Sequence, residues 1–185
     1  MKRNKVVRIP RSLRTVLILA AMSAWFGIAA LPAFAAAHPE SYATNPESRQ
    51  FDFWVGDWTI SYPGGPGGSV SKVTLSLDKC MVVESWDGGK GHRGENMFAY
   101  SSDDRRWHGM FADNMGRVHV LEGKVASGTA EFYGPSRGPD GEAVLNRIRI
   151  VRLSADKVEQ TWEKSKDNGA TWNMEFRGEY TRKNP

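Results

Sequence analysis

The feature that most constrains the fold is a series of short β-rich runs that begins at the Phe51 region and continues almost to the end of the chain. Clusters of Gly, Pro, Asn and Asp separate the runs, and no window shows a sustained 3.6-residue apolar period of helical length. Several runs alternate apolar and polar side chains, as strands do when they bury one face. The pattern therefore predicts an all-β domain built as an antiparallel meander.

About ten strands are predicted. The clearest covers residues 171–181, where every second residue from Trp172 to Tyr180 is apolar or glycine, and it forms a hairpin with residues 157–165. The other predicted strands cover residues 53–62, 71–78, 80–86, 95–101, 106–112, 117–124, 129–133 and 143–153. Closure into a lipocalin-like β-barrel protects the sheet edges at this length, and a two-sheet β-sandwich is the alternative.

The chain divides into three predicted parts. Residues 1–37 are typical of a secretory signal peptide and its cleavage region, because six basic residues precede an apolar run over residues 15–31 and an Ala-Phe-Ala site at 33–35. Residues 38–50 are predicted to be an exposed leader with about one helical turn, and residues 51–185 to be a single barrel domain. We therefore expect an exported protein, periplasmic or secreted, with no stable membrane insertion after cleavage.

Removal of the signal changes the charge. The whole chain has a formal net charge of +4, but six of its 25 basic residues and none of its 21 acidic residues lie in the signal, so the mature charge is −2. A nucleic-acid partner is therefore not expected. Cys80 is the single cysteine, which rules out an intramolecular disulfide and is more typical of a small buried side chain than of a nucleophile.

The segment from Ser165 to Trp172 fits S-x-D-x-G-x-T-W, the hairpin motif called an Asp box. We expect Asp167 and Ser165 to bind backbone N–H groups of the turn, Gly169 to adopt a positive φ, and Trp172 to pack over the turn. The motif occurs once, and the chain is too short for a propeller. It therefore predicts a structural hairpin and no sialidase activity.

The most distinctive stretch is Phe-Asp-Phe-Trp-Val-Gly-Asp-Trp at residues 51–58. A bend at Gly56 would turn a barrel corner, with Trp54 and Trp58 plugging the bottom. The stretch resembles the opening, F-D-F-W-[LV]-G-[ED]-W, of a bacterial family of secreted proteins of unknown function that is thought to be calycin-like. The resemblance extends over residues 49–182, and it implies the fold but no catalytic residue.

Alternation along the strands places polar groups among aromatic ones inside the barrel. The candidate cavity residues are Glu84, Trp86, His119, Asn146, Arg152, Gln160 and Trp162. A buried polar group without a partner costs about 1–3 kcal/mol, so this set favours a cavity that binds a small amphipathic or hydrophobic ligand. One alternative is a filled barrel that acts as an interaction module. The other is an enzyme in which Glu84 is a base near Arg152 or His119.

No metal site or cofactor is predicted. His38, His92, His108 and His119 lack the paired spacing of ligands, and a zinc site needs three or four converging groups. Haem binding through His119 is kept as an option. The chain contains no G-x-S-x-G sequence, Cys/His dyad or phosphate loop, so the sequence assigns no reaction.

Overall fold

A computed structural model describes residues 45–183, in which ten antiparallel strands close into a single barrel. Each strand pairs with the next along the chain, and β1 also pairs with β10. The strands are β1 Gly56–Ser61, β2 Ser69–Ser76, β3 Met81–Asp87, β4 Arg93–Ser101, β5 Arg106–Asp113, β6 Val118–Ala126, β7 Thr129–Arg137, β8 Ala143–Arg152, β9 Lys157–Ser165 and β10 Asn173–Arg182. The predicted meander and its closure are confirmed, and the sandwich alternative is wrong.

The predicted signal peptide and cleavage region, residues 1–37, lies outside the described residues and stays a prediction. In the predicted leader, Pro46–Arg49 forms a short 3-10 helix that begins after Asn45, whose side chain accepts a hydrogen bond from the Glu47 N–H at 2.9 Å. Within residues 45–183, no helix reaches the length and hydropathy needed to span a membrane.

The start of the first predicted strand is wrong. Residues Asp52–Trp54 form a second 3-10 helix, and the strand begins only at Gly56. Phe51 and Trp54 are completely buried, with ring centroids 5.2 Å apart. The aromatic residues on both faces of this stretch therefore belong to a plug inserted into one end of the barrel, which we call the closed end.

The plug packs against rings from distant strands. The Phe51 ring lies 5.4 Å from that of Phe98 and 5.7 Å from that of Trp107. Trp58 is also fully buried, and its indole N–H donates to the Trp54 carbonyl oxygen at 2.9 Å. Large rings fill much volume from few positions, so a short segment is enough to fill this end.

Gly56 joins the plug to β1. Its φ of +148° is one that side-chain-bearing residues rarely adopt, and an added Cβ would collide with the Arg182 guanidinium. That guanidinium stacks 4.2 Å over the Trp58 ring and donates to the Val55 carbonyl oxygen at 2.9 Å. Glycine is therefore required both by the backbone conformation and by the close approach of Arg182.

The predicted alternation of the last strand is wrong on the N-terminal side of a β-bulge in β10. The register with β9 shifts between Met174 and Phe176, so Met174 lies opposite Glu163 while Phe176 lies opposite Trp162. Met174 is consequently on the outer face, 53% exposed, although its sequence parity matches that of Phe176. One extra residue in one strand moves every preceding side chain of that strand to the opposite face of the sheet. The sequence pattern does not indicate where this extra residue lies.

Between β2 and β3 the structure has a tight turn that replaces the end of the strand predicted over residues 71–78. Leu77, Asp78 and Lys79 all have positive φ, and the Cys80 N–H donates to the Leu77 carbonyl oxygen at 2.9 Å. In the predicted strand 71–78, Leu77 alternates in step with Val73 and Leu75 and would face the core, but it is 68% exposed. Cys80 is partly buried in the turn. The local backbone conformation overrides the apolar character of Leu77.

Candidate functional site

A cavity of about 270 Å³ opens at the end of the barrel opposite the plug, which we call the open end. Its wall is aromatic and consists of Tyr62, Trp86, Phe111, Trp162 and Phe176. Its mouth carries the polar side chains of His92, Arg117, Lys164 and Glu175. Its floor, near the middle of the barrel, is formed by Glu84, Asn96, Gln160 and Tyr180.

The aromatic wall presents ring faces and edges at several angles. Phe111 packs edge-on against Trp162, with centroids 5.1 Å apart, and nearly parallel to Trp86 at 6.1 Å. Across the cavity, Tyr62 and Phe176 lie 5.5 Å apart. Such a wall favours a flat, partly apolar guest, because rings pack well against both faces and edges of other rings.

Asn146 fixes the position of Trp162. It is completely buried, and its side-chain oxygen accepts from the Trp162 indole N–H at 3.0 Å. Its amide nitrogen donates to the Gly134 carbonyl oxygen at 3.0 Å and to Ser136 Oγ at 2.8 Å. Both amide ends are used, so Asn146 supports the wall from behind and offers little to a ligand.

Glu84 is the buried carboxyl group of the floor. Its side chain accepts a hydrogen bond from Ser71 Oγ at 2.7 Å and another from Asn96 Nδ2. Burial raises the pKa of Glu84 to about 7, although the hydrogen bonds from Ser71, Asn96 and Tyr180 act to lower it. The group therefore changes charge close to neutral pH, inside the barrel.

Tyr180 links Glu84 to Gln160. Its hydroxyl donates to Gln160 Oε1 at 2.5 Å, and it also interacts with the Glu84 carboxyl group. Burial and the neighbouring Glu84 raise the pKa of Tyr180 well above its usual value, so the phenol stays protonated. The floor is thus one connected network in which a single phenolic proton has two acceptors within reach.

Water reaches the floor residues unequally. Asn96 is 4% exposed and Gln160 8% exposed, whereas Glu84 has no exposed surface. A molecule in the cavity therefore contacts the two amides before it reaches the carboxyl group.

Ion pairs hold the loops at the mouth. Asp113 accepts hydrogen bonds from Arg117 Nε at 2.7 Å and from the backbone N–H of Met115 at 3.0 Å, and its side chain lies 3.1 Å from His92 Nε2. Burial acts to raise the pKa of Asp113, but the hydrogen bonds from Arg117 and His92 outweigh it and leave the pKa well below its usual range. On the opposite side, Lys164 pairs with Glu175 at 3.1 Å. The charges at the mouth are therefore largely compensated.

The structure brings four of the sequence-derived candidates together in the cavity: Glu84, Trp86, Gln160 and Trp162. Asn146 lies behind the wall, as described above. His119 and Arg152 do not line the cavity.

His119 has the inward parity of Leu121 on β6 and packs against two rings of the aromatic wall. Its ring lies 4.8 Å from Trp162 and 5.6 Å from Phe111, and its Nδ1 is buried without a hydrogen-bond partner among the described residues. Burial lowers the pKa of His119, helped by the charges of Lys164 and Arg117. His119 does not line the cavity, and the haem option stays a prediction. Among the described residues, the histidine that lines the cavity is His92.

Arg152 lies at the closed end. It has the inward parity of Ile148 and Ile150, but it is the last residue of β8 and its side chain is exposed. Its guanidinium lies 5.8 Å from the Phe53 ring, beside the plug. The aromatic plug occupies the interior at this level, and the Arg152 side chain is exposed.

Sequence reasoning missed several residues of the site. Ser71, Asn96 and Tyr180 were not candidates, yet each occupies an inward position by parity with Val73, Phe98 or Gly178. The alternation rule alone would have found them. His92 and Arg117 lie in or beside loops, where no period indicates direction, so only the tertiary structure reveals their place at the mouth.

The hairpin between β9 and β10 borders the open end. Asp167 Oδ1 accepts from the Thr171 N–H at 2.8 Å, and the Gly169 N–H donates to Ser165 Oγ at 2.7 Å, while Gly169 has a φ of +93°. Hydrogen bonds from Thr171 and Ser165 lower the pKa of Asp167 to about 2. Trp172 packs on the outer face beneath the Arg147 guanidinium, 4.2 Å away. This turn is held by its own side chains and contributes no residue to the cavity.

Within residues 45–183, no group of three or more His, Cys, Asp and Glu side chains is arranged to hold a metal ion. No protein-family model matches the chain, and no curated protein sequence matches it either. The family resemblance of the opening motif therefore stays a prediction.

Among solved structures, the chain is similar to EF1p2_mFAP2b bound to DFHBI, at 12% identity and a TM-score of 0.31. The similarity covers 74% of this chain and 99% of that chain. At this level the likeness carries no functional information. What is established is that residues 45–183 form a closed ten-stranded antiparallel β-barrel.

Proposed function

We propose that this protein is an exported binding protein that holds a small, flat, amphipathic molecule in the open end of its barrel. The observation that carries the proposal is the aromatic-walled cavity of about 270 Å³ that ends on buried polar groups. Ligand sites in proteins are typically apolar concavities with a few placed polar groups, and this volume lies just below their usual range. The ligand is therefore expected to be small, of about one or two fused rings.

The two other functions fit the cavity less well. A filled barrel acting as an interaction module predicts no internal space, whereas only the closed end of this barrel is filled. A catalytic base must come within hydrogen-bond reach of its substrate. Glu84 has no exposed surface and is already bonded by Ser71 and Asn96, so a base at this position is not favoured.

The binding proposal is tested by calorimetric titration of the purified protein with 2-naphthol, an uncharged amphipathic bicyclic probe. We expect saturable binding with one site per chain. Trp86→Ala removes a ring from the wall and should weaken binding about tenfold or more, as loss of a central aromatic contact commonly does.

Trp172→Ala is the matched control, because Trp172 is also half-buried but lies on the outer face. Its affinity for 2-naphthol should equal that of the wild type. The proposal fails if the wild type shows no saturation up to the solubility limit of the probe, or if both substitutions weaken binding equally.

The export part of the proposal rests on the sequence of residues 1–37. Expression of the full chain in a bacterium, followed by intact-mass measurement of the fractions, tests it. We expect the protein outside the cytoplasm with a mass that begins between residues 36 and 38. Full-length protein confined to the cytoplasm would contradict export and leave the binding proposal intact.

A further inference from the structure

Two amide side chains on the cavity floor each have one polar end unused. Asn96 Nδ2 donates to Glu84, and Gln160 Oε1 accepts from Tyr180. In the described part of the chain, neither Asn96 Oδ1 nor Gln160 Nε2 has a hydrogen-bond partner, and neither atom is sealed from the cavity. Buried polar groups are normally paired, so these atoms point to a ligand that supplies one donor and one acceptor.

The hydrogen-bond network fixes which end of each amide is free. The Glu84 carboxyl group takes the Asn96 NH₂ group and so leaves the Asn96 oxygen free. When Glu84 is protonated it can donate to the Tyr180 oxygen, and Tyr180 then donates to Gln160 Oε1, which leaves Gln160 Nε2 free. Glu84 therefore sets the pattern of the floor without contacting the ligand.

We propose that the cavity selects an uncharged ring compound bearing an amide-type group, such as a lactam. Its N–H would donate to Asn96 Oδ1 and its carbonyl oxygen would accept from Gln160 Nε2, with Glu84 as the positioning residue. This inference rests on the proposed binding function. It names the chemical class of ligand for the same site.

A pH dependence follows from the single proton of Tyr180. When Glu84 is ionised, the Tyr180 hydroxyl donates to it and no longer donates to Gln160. The Gln160 amide can then turn over, so that its Nε2 donates a hydrogen bond to the Tyr180 oxygen and its Oε1 faces the cavity. The floor then offers two acceptors and no donor, which disfavours a ligand carbonyl. Because burial raises the pKa of Glu84 to about 7, affinity for a lactam should fall as the pH rises through neutrality.

The other charged groups near Glu84 are few. Its neighbours on β2, β4 and β9 are the uncharged Ser71, Asn96 and Gln160, and β10 contributes the protonated Tyr180. The remaining charged or titratable groups that line the cavity lie on the wall or at the mouth, and they are Tyr62, His92, Arg117, Lys164 and Glu175. His92 is the histidine among these groups, so His92→Gln is the control for the pH profile.

The test compares three probes of similar size by calorimetric titration between pH 6 and pH 8.5. They are 2-quinolone, a bicyclic lactam; naphthalene, which lacks polar groups; and 2-(aminomethyl)naphthalene, a cation. At pH 6 we expect 2-quinolone to bind about tenfold or more tighter than naphthalene, since it adds two hydrogen bonds. From pH 6 to pH 8.5 the affinity of 2-quinolone relative to naphthalene should fall, while the affinity of the cation relative to naphthalene should rise.

Glu84→Gln stays uncharged and can keep both amides in place, so its affinity for 2-quinolone should be high and independent of pH. His92→Gln should retain the wild-type pH profile. Gln160→Met removes the free donor at similar volume, and it should bind 2-quinolone no more tightly than naphthalene. Circular dichroism confirms folding, and the Gln160 variant keeps the proposal testable if Glu84→Gln does not fold.

The outcomes separate this inference from the proposed function. Binding of naphthalene and 2-quinolone with equal affinity, or tighter binding of the cation at pH 6, would overturn the lactam inference and leave the binding function standing. An unchanged pH profile in Glu84→Gln would overturn the role of Glu84. If none of the three probes and no 2-naphthol bound, both proposals would fall.

Discussion

The two ends of the barrel are built from the same ten strands and differ in what fills them. At the closed end the inward residues are apolar, and the plug inserts Phe51 and Trp54 between them. At the open end the inward residues include Glu84, Asn96 and Gln160, and the interior stays open. The strands therefore set the shape of the barrel, whereas a few inward side chains decide whether a given level is packed core or open cavity.

The energetic roles of the two ends should differ in the same way. The rings of Phe51 and Trp54 in the plug have no exposed surface, so their removal leaves cavities that the surroundings cannot fill. Rings at the open end border space already, and their removal changes mainly what the cavity can hold. Substitutions at the two ends can therefore test this contrast directly.

The largest effect is expected at the plug. Trp54→Ala should lower the free energy of unfolding by about 3–5 kcal/mol, because Trp54 is fully buried among Phe51, Phe98 and Tyr180. Urea denaturation followed by tryptophan fluorescence measures the loss. Trp54→Phe should cost much less, because it keeps a ring and removes an indole N–H that has no partner among the described residues. Equal losses in both variants would show that the ring volume is not what stabilises this end.

The second effect concerns pH and Glu84. Its pKa is about 7 in the folded barrel against an ordinary value of 4.5, so between these values the folded state binds more protons than the unfolded state. Stability should therefore fall as the pH rises from about 4.5 to 7, by up to roughly 3 kcal/mol. The quantity to measure is the difference in unfolding free energy between the wild type and Glu84→Gln at each pH.

That difference isolates Glu84 from the other titrating groups. It should move in favour of the Gln variant as the pH rises through this window and become constant above it. A difference that stays flat from pH 4.5 to pH 8 would contradict a buried carboxyl group with a raised pKa.

A smaller loss is expected at the open end. Trp86→Ala should lower the free energy of unfolding by about 1 kcal/mol, because Trp86 is only half-buried and borders the cavity. The same urea titration compares it directly with Trp54→Ala. If both substitutions cost the same, the open end is as tightly packed as the closed end and the contrast drawn between them is wrong.

The smallest global effect is expected in the hairpin beside the open end. Asp167→Ala removes the acceptor of the Thr171 N–H, so hydrogen exchange at Thr171 should accelerate. Amides in β5, on another part of the barrel, should exchange as in the wild type. Faster exchange throughout the barrel would mean that this turn stabilises the whole fold and not only its own loop.

Much of the fold could be predicted from the sequence. The meander, the strand number and the barrel follow from the spacing of turn residues and from two-residue alternation in segments such as Ala143–Arg152. Alternation also pointed inward correctly for Glu84, Gln160 and Trp162. It failed for Met174 because a bulge shifts the register, and for Leu77 because a turn of positive-φ residues interrupts the strand.

The sequence specified the period of the strands, and it identified the inward side chains wherever no bulge or turn interrupts a strand. The three-dimensional structure was needed to show that Asp52–Trp54 forms a 3-10 helix and not the start of a strand, that the Arg152 side chain is exposed at that end, and that His92 reaches the mouth. The physical reason is that alternation is a local property of each strand. The level of the barrel at which space remains depends on the volumes of side chains brought together from all ten strands and from the segment before them.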